Sequence, residues 1–460
     1  MNKIFLKVIG GFSGLILSLA TMAQANDTSI LQRIGEHMLK NSNAYENLRY
    51  LCKDIGPRLS GSSNAAKAVE ATARMLREAG ADTVYLQSVM VPHWERGPKE
   101  QAIIHQGNTH QRLRACLLGM SVGTPESGLK APVVMVHNFD ELKALGAEKV
   151  KGKIVFINYA MRPELIQNGY GDAVRFRSGG PAEAGRLGAV AVMIRSVTHA
   201  LDTFPHTGGT RYDKDVTPIP AFACSTVDAE WLSDLLKRQP NGVELFLKAS
   251  PQNLPDALSF NVIGEVRGSR FPDEIITVGG HLDSWDLAEG AHDDGSGCVQ
   301  SIEVIRAIKT LGLKPQRTIR AVMFMNEENG LKGAQEYANV AEKNKEKHVY
   351  AIESDLGAFS PVYITMGGTP TQNERVRSWL PLLRQYWVLN MPDGGPGADI
   401  GPLRRLGPML SNMIPYSQRY FDYHHAASDR FEAVHKRELE LGAAALASMC
   451  WLASEWGVGN

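Results

Sequence analysis

The sequence predicts an α/β protein with a second, β-rich domain set into it. Two observations carry this. In the C-terminal half, apolar runs rich in β-branched residues recur at Ile275–Val278, Thr318–Met325 and Val349–Ile352. Helix-periodic segments, Val299–Ile308 and Gly333–Lys345, follow the first two. Between Trp94 and Leu258 the texture changes to short apolar runs punctuated by turn residues. At 460 residues the chain is too long for one simple core, so two domains are expected.

Lys3 and Lys7, the apolar run Val8–Ala20 and Ala23-Gln24-Ala25 read as a signal peptide over residues 1–25. A periplasmic or secreted protein is expected, with no membrane association after cleavage, because no other stretch is long and apolar enough to span a bilayer. Residues 26–93 open the first domain. Asp27–Lys40 reads as a helix, Gly56–Ser62 as a loop, Asn64–Ala79 as a helix and Val84–Val91 as a strand. Residues 94–258 form the inserted domain, with strand-like runs at Ala131–Val136, Gly152–Ile157, Gly188–Ile194 and Ile219–Phe222. Short helices are expected at Asp140–Leu145, Pro181–Leu187 and Asp228–Arg238. Residues 259–460 resume the first domain and close on a helix from Arg437 to Trp456.

Lys plus Arg equals Asp plus Glu, 49 each, and the zero net charge argues against a nucleic-acid partner. Five scattered cysteines with no C-x-x-C exclude a zinc ribbon and a dense disulfide framework. One or two disulfides fit an oxidising compartment. Gly119-Met120-Ser121-Val122-Gly123 matches G-x-S-x-G in form only, because a turn, Thr124–Gly128, stands where a helix is required. Ser121 therefore reads as a loop serine. His199 and His206 lack companion acids at ligand spacing and read as surface or loop histidines.

The chemistry gathers at strand ends: His281 and Asp283, Asp293-Asp294, Glu327-Glu328, Asp355, and His424-His425. In open α/β sheets, ligands bind outside the carboxyl ends of the strands, so residues far apart in sequence can meet there. Imidazole and carboxylate are ligands that zinc accepts.

The segments Gly279–Gly297, Phe324–Tyr337, Glu353–Gly357 and Tyr420–Asp429 together resemble the co-catalytic di-zinc aminopeptidases, and among them the carboxypeptidase Q group. Gly56–Ser62, Ile194–Val197 and Pro205–Gly209 add to the likeness. The resemblance implies an α/β/α sandwich with a mixed sheet and a protease-associated domain inserted at 94–258. It implies two zinc ions per chain, with Asp293 bridging, His281 and Asp355 on one, and Glu328 and His425 on the other. Asp283 would orient His281, and Glu327 would be the general base. The Asp293–Asp294 peptide would be cis. His424 stands where related enzymes carry a tyrosine, and takes the role of oxyanion donor.

The implied substrates are dipeptides or short peptides with free termini, and a homodimer is suggested. Gly367–Thr371 and Gly394–Pro402, which includes Asp399, are expected at a pocket rim. His292 departs from the apolar residue of relatives and could compete for metal or only fill the loop. Asn326 and Asn329 have no account at this level. A one-zinc glutaminyl cyclase and a receptor-like protein without ligands are the competing readings, and the complete ligand set with Glu327 argues against both.

Overall fold

The computed structural model describes residues 27–106, 109–239 and 242–459. The expected signal peptide lies outside them. Among the described residues, no helix is long and apolar enough to cross a membrane.

The larger sheet has seven strands, in spatial order Thr83–Glu95, Gln252–Val266, Arg317–Phe324, Phe271–His281, Lys347–Ser354, Met409–Pro415 and Pro361–Ile364. The middle of the sheet is parallel: Phe271–His281 pairs in parallel with Arg317–Phe324 and with Lys347–Ser354, which pairs in parallel with Met409–Pro415. The flanking pairs are antiparallel, so the sheet is mixed.

Side-chain alternation along the strands feeds two cores. On one face, Ala321, Met323, Ile276 and Val278 pack with the helices Ser63–Glu78, Ser296–Thr310 and Lys436–Trp456. On the other, Val322, Phe324 and Ala351 pack with the helix Lys332–Lys343. Helices on both faces give the expected three layers. Lys436–Trp456 is buried along most of its length, which suits its run of Ala, Leu, Met and Trp.

An eight-stranded sheet is built from the chain between Gln101 and Lys248, and four neighbouring strands in it, Leu129–Val136, Ile154–Ile157, Ala191–Arg195 and Ala221–Cys224, run parallel. The strands on either side of this segment, Thr83–Glu95 and Gln252–Val266, pair with each other in the larger sheet. The chain therefore leaves the first sheet, builds the second and returns along its own exit strand.

Most expected elements fall where the sequence puts them. The helix after Ser62 spans Ser63–Glu78, and the Ser62 side chain accepts from Ala65 N as its N-cap. Pro181 lies inside a longer helix, Gly169–Arg186, instead of opening a short one. All five cysteines are free and buried, so no disulfide forms in this structure.

Candidate active site

The parallel strands set the site by pointing their carboxyl ends the same way. His281 is the last residue of its strand, Asp355 follows Ser354, Glu327 and Glu328 follow the strand ending at Phe324, and the His424-His425 turn lies beyond the strand ending at Pro415. Asp293 arrives from the turn before the Ser296–Thr310 helix. The structure brings all of them together.

The geometry divides about Asp293. Its Oδ1 lies 3.1 Å from His281 Nε2, which also lies 3.1 Å from Asp355 Oδ1. Its Oδ2 lies 3.4 Å from His425 Nε2, which lies 3.0 Å from Glu328 Oε2. One carboxylate thus serves two acid–imidazole groups, one from each oxygen. Asp293 Oδ2 is buried with no hydrogen-bond partner.

The tautomers carry the argument to a cation. His281 Nδ1 lies 2.9 Å from the carbonyl of Asp283, so Nδ1 carries the hydrogen. Its Nε2 then faces two carboxylate oxygens, an arrangement that requires a positive charge between them, a proton or a metal ion. His425 Nε2 likewise faces two carboxylate oxygens, and its Nδ1 lies 3.3 Å from the carbonyl of Thr207. Divalent metal ions fit both places, as does the donor set of imidazole and carboxylate oxygen. His281, Asp293 and Asp355 offer ligand atoms that all lie within 4.8 Å of one another, and so do Asp293, His424 and His425.

Electrostatics agree. Burial raises Glu328 well above the usual carboxylate range, and neighbouring Asp293 and Glu327 add to it. Burial raises Asp355 too, against the pull of His281. Glu327 is half-buried, and burial with its acidic neighbours pushes it up to about 8. Burial works against charging His281, yet Asp355 and Asp293 outweigh it and hold the imidazole well above its ordinary value. This is a surplus of buried negative charge awaiting cations.

Neighbouring residues hold these groups in place. Asp283 was expected to orient His281 through its carboxylate. Its carbonyl does so, while the carboxylate, 4.0 Å from Nδ1, accepts from Asn326 N at 2.7 Å and Glu327 N at 3.1 Å. Asp283 therefore holds both His281 and the Glu327-Glu328 turn. Asp294 faces away from the cluster: its Oδ2 accepts from His281 N at 3.0 Å and its Oδ1 from Gly297 N at 2.9 Å. A Cβ at Gly297 would meet Ser354 O at 1.9 Å, so only glycine permits this approach. The Asp293–Asp294 peptide is cis, as the resemblance implied.

His292 stands outside the two acid–imidazole groups. Its Nδ1 accepts from Ala358 N at 3.1 Å, its Nε2 lies 3.3 Å from the carbonyl of Ala433, and its ring stacks on Phe359 and Tyr423. Asn326 and Asn329 now have a reason. Asn326 has φ 73°, which asparagine tolerates, and its Nδ2 donates to Ser60 Oγ at 2.8 Å and to Asn329 Oδ1. Ser60 Oγ donates to Asn329 Oδ1 at 2.8 Å. The pair ties the Gly56–Ser62 loop to the Glu327-Glu328 turn.

That loop brings in Arg58, which is fully buried and donates to the carbonyls of Leu282 at 2.6 Å, Glu289 at 2.6 Å and Gly290 at 2.9 Å. The second sheet's segment also reaches the site. His206 was expected at the surface or in a loop; it lies in a loop segment but is 1% exposed, because residues 205–209 lie against the His424-His425 turn. Its Nδ1 lies 2.6 Å from the carbonyl of His424, and Thr207 N donates to the carbonyl of His425 at 3.0 Å. Arg177 Nη1 lies 3.3 Å from His425 Nδ1. His199 is exposed, as expected.

Ser121 is buried, accepts from Ala221 N at 2.9 Å and stands apart from these residues. Gly119 has a packing reason, since a Cβ there would meet the buried Trp285 ring at 2.0 Å. Tyr420 escaped the sequence reading. It is buried, burial and the nearby Asp293 raise its hydroxyl well above its ordinary value, and its ring lies 5.3 Å from that of His424. Its position one helical turn before His424 was the available signal.

Comparison with known proteins agrees with this geometry. Residues 261–449 match the model of peptidase family M28. Carboxypeptidase Q of Bos taurus is 36% identical over 412 residues, covering 90% of this chain and 85% of that protein. Carboxypeptidase Q of Xenopus laevis is 37% identical over 396 residues, covering 86% and 82%. The crystal structure of a peptidase M28 precursor from Shewanella amazonensis superposes with a TM-score of 0.89 at 33% identity, covering 94% of this chain and 97% of that one. The fold, without more, is shared with a zinc aminopeptidase from Bacillus subtilis at TM-score 0.66 and 22% identity, covering 90% and 95%. Fold, site and relatives define a metallo-exopeptidase. The chain belongs to peptidase family M28.

Proposed function

We propose that this protein hydrolyses dipeptides or short peptides with free termini using two zinc ions per chain. His281 and Asp355 would hold one ion, Glu328 and His425 the other, and Asp293 both. The observation that carries this is the division of the Asp293 carboxylate between two acid–imidazole groups. The class, a zinc-dependent exopeptidase, is that of the family.

When bound, paired zinc ions polarise a scissile carbonyl and lower the pKa of an attacking water. Glu327, held by Asp283 through its backbone N–H, takes the proton from that water and returns it to the leaving amine. His424 donates from Nε2 to the oxygen that becomes negative. This nitrogen lies 3.9 Å from Asp293 Oδ2, and burial pulls the imidazole down to about 3, which keeps it a neutral donor. His424→Ala is expected to lower kcat by about 100-fold with zinc content unchanged. Unaltered kcat would pass the role to the Tyr420 hydroxyl.

Residues 94–258 are proposed as an inserted protease-associated domain within a catalytic domain of 26–93 and 259–460. Its support is the paired exit and return strands. Export guided by residues 1–25 is proposed from their charge, apolar run and small-residue end. A homodimer is proposed from Trp387, Leu389 and Tyr416, which are more than half exposed and flank the edge strand Pro361–Ile364.

The test combines metal content by mass spectrometry, the mass of the native particle by light scattering, and hydrolysis of a dipeptide panel. Two zincs per chain with turnover supports the reading. One zinc or none, or no hydrolysis of any dipeptide, overturns it, and a one-chain mass removes the dimer.

A further inference from the structure

The Gly-rich segments expected at a pocket rim do line a cavity, through Gly367, Gly368, Gly394 and Gly395, but Asp399 is fully buried. A second cavity, of about 670 Å³, has an aromatic lining and lies beside the proposed catalytic residues. Tyr363 and Ile414 come from the last two strands of the larger sheet, and Tyr416 and Phe421 from the segment that runs into the His424-His425 turn. Pro163 and His199, from the second sheet's segment, add to its wall. Ile414 stands one residue before the carboxyl end of Met409–Pro415, so the cleft lies at the edge of the sheet that carries the acid–imidazole groups.

Phe421 is the wall shared by cleft and site. Its ring lies 5.4 Å from that of His424 and stacks at 5.0 Å on Tyr170, which meets His424 edge-on at 5.0 Å. Thr198 Oγ1 donates to the Phe421 carbonyl at 2.5 Å, and Arg177 Nη2 donates to the Tyr170 hydroxyl at 2.9 Å, so the second sheet's segment holds this wall in place. The two charged residues on the cleft, Arg419 and Asp422, are paired with each other at 3.8 Å. What remains is uncharged and chiefly aromatic or aliphatic, a lining that suits an apolar side chain, in a volume typical of small-molecule sites. With a contact distance of about 3.5–4 Å beyond the Phe421 ring, an atom in the cleft lies roughly 9 Å from His424. An extended peptide advances about 3.3 Å per residue, so a side chain about three residues from the cleaved bond reaches the cleft and neither residue of a dipeptide does.

Building on the exopeptidase reading above, we propose that this cleft binds an apolar side chain about three residues from the scissile bond, so that the enzyme favours tetrapeptides carrying one over dipeptides. The far residue leaves water for the rings of Tyr363, Tyr416 and Phe421. That contribution needs no charge on the substrate, so it operates whichever terminus the enzyme releases.

The zinc-loaded wild type and Ser417→Trp are compared on Ala-Ala, on tetra-alanine, and on tetra-alanine with phenylalanine in place of its first or its last residue. Ser417 lines the cleft in a short turn with no buried residue, so an indole there fills the cleft without disturbing the core. Mass spectrometry of the products shows which terminal residue is released. Phenylalanine at the opposite terminus is expected to raise kcat/KM over tetra-alanine about tenfold to a hundredfold in the wild type, and the gain is expected to vanish in Ser417→Trp. No such gain in the wild type, with any of the peptides cleaved, overturns the proposal, a comparison that needs no variant to fold. A gain that survives in Ser417→Trp at full zinc content overturns it as well, and a changed particle mass in that variant would then give the cleft to a second copy of the chain. No cleavage of any peptide sinks the peptidase reading, and the subsite with it.

Discussion

Glu327→Gln is expected to lower kcat by about 10²–10⁴-fold while leaving two zinc ions bound. That loss corresponds to about 3–5 kcal/mol of transition-state stabilisation. The two effects separate because Glu327 stands beside the proposed ligands without belonging to either acid–imidazole group. Glutamine preserves the shape of the turn, and the backbone N–H that donates to Asp283 is untouched. What is lost is the ability to take a proton from water and return it to an amine. Single-turnover hydrolysis, with metal content measured on the same sample, checks both halves. Loss of zinc in the variant would place Glu327 among the ligands, and undiminished turnover would remove it from the chemistry.

Arg58→Ala is expected to destabilise the fold by about 4 kcal/mol and to lower Tm by roughly 5–10 °C. Its guanidinium satisfies three carbonyls of the segment that carries Asp283 and leads to Asp293. Truncation leaves those acceptors buried and unpaired, each at a cost of about 1–3 kcal/mol. Lysine, a single point donor, cannot replace a planar fork that meets three acceptors, so Arg58→Lys recovers only part of the loss. Zinc content is expected to fall with stability, because the same segment positions His281 and Asp293. Calorimetry and metal analysis of the two variants read this directly. An unaltered Tm in Arg58→Ala would mean that the segment holds its shape without the clamp.

The strand-end clusters could be read from the sequence because their signals are local. An apolar β-branched run, a polar pair at its end and a helix-periodic segment after it lie within about thirty residues. The three-layer class followed from the same runs. Contacts that join segments far apart left no such trace. Arg58 looks like any loop arginine until its loop is seen against Leu282 and Gly290. His206 looked exposed because nothing near it in sequence predicts that residues 205–209 cover the His424-His425 turn. His292 resembled a spare ligand, and only the rings of Phe359 and Tyr423 show why it is a packing residue. Asp283 was given the right neighbour but the wrong atom, since a one-residue pattern does not tell a carboxylate from a carbonyl.

The grip of Thr207 on His425 has a consequence for anyone who wishes to shrink or recombine this enzyme. Residues 169–210 look dispensable on paper, because they supply no acid and no imidazole to the proposed ligand set. Yet a carbonyl 3.3 Å from His425 Nδ1, and the N–H that anchors its backbone, come from Thr207. Cutting out the second sheet to leave a compact hydrolase would free one of the proposed metal ligands to turn. Exchanging that sheet with one from a relative would need the Thr207 position carried along with it. The two regions are separate in topology but not modular in chemistry.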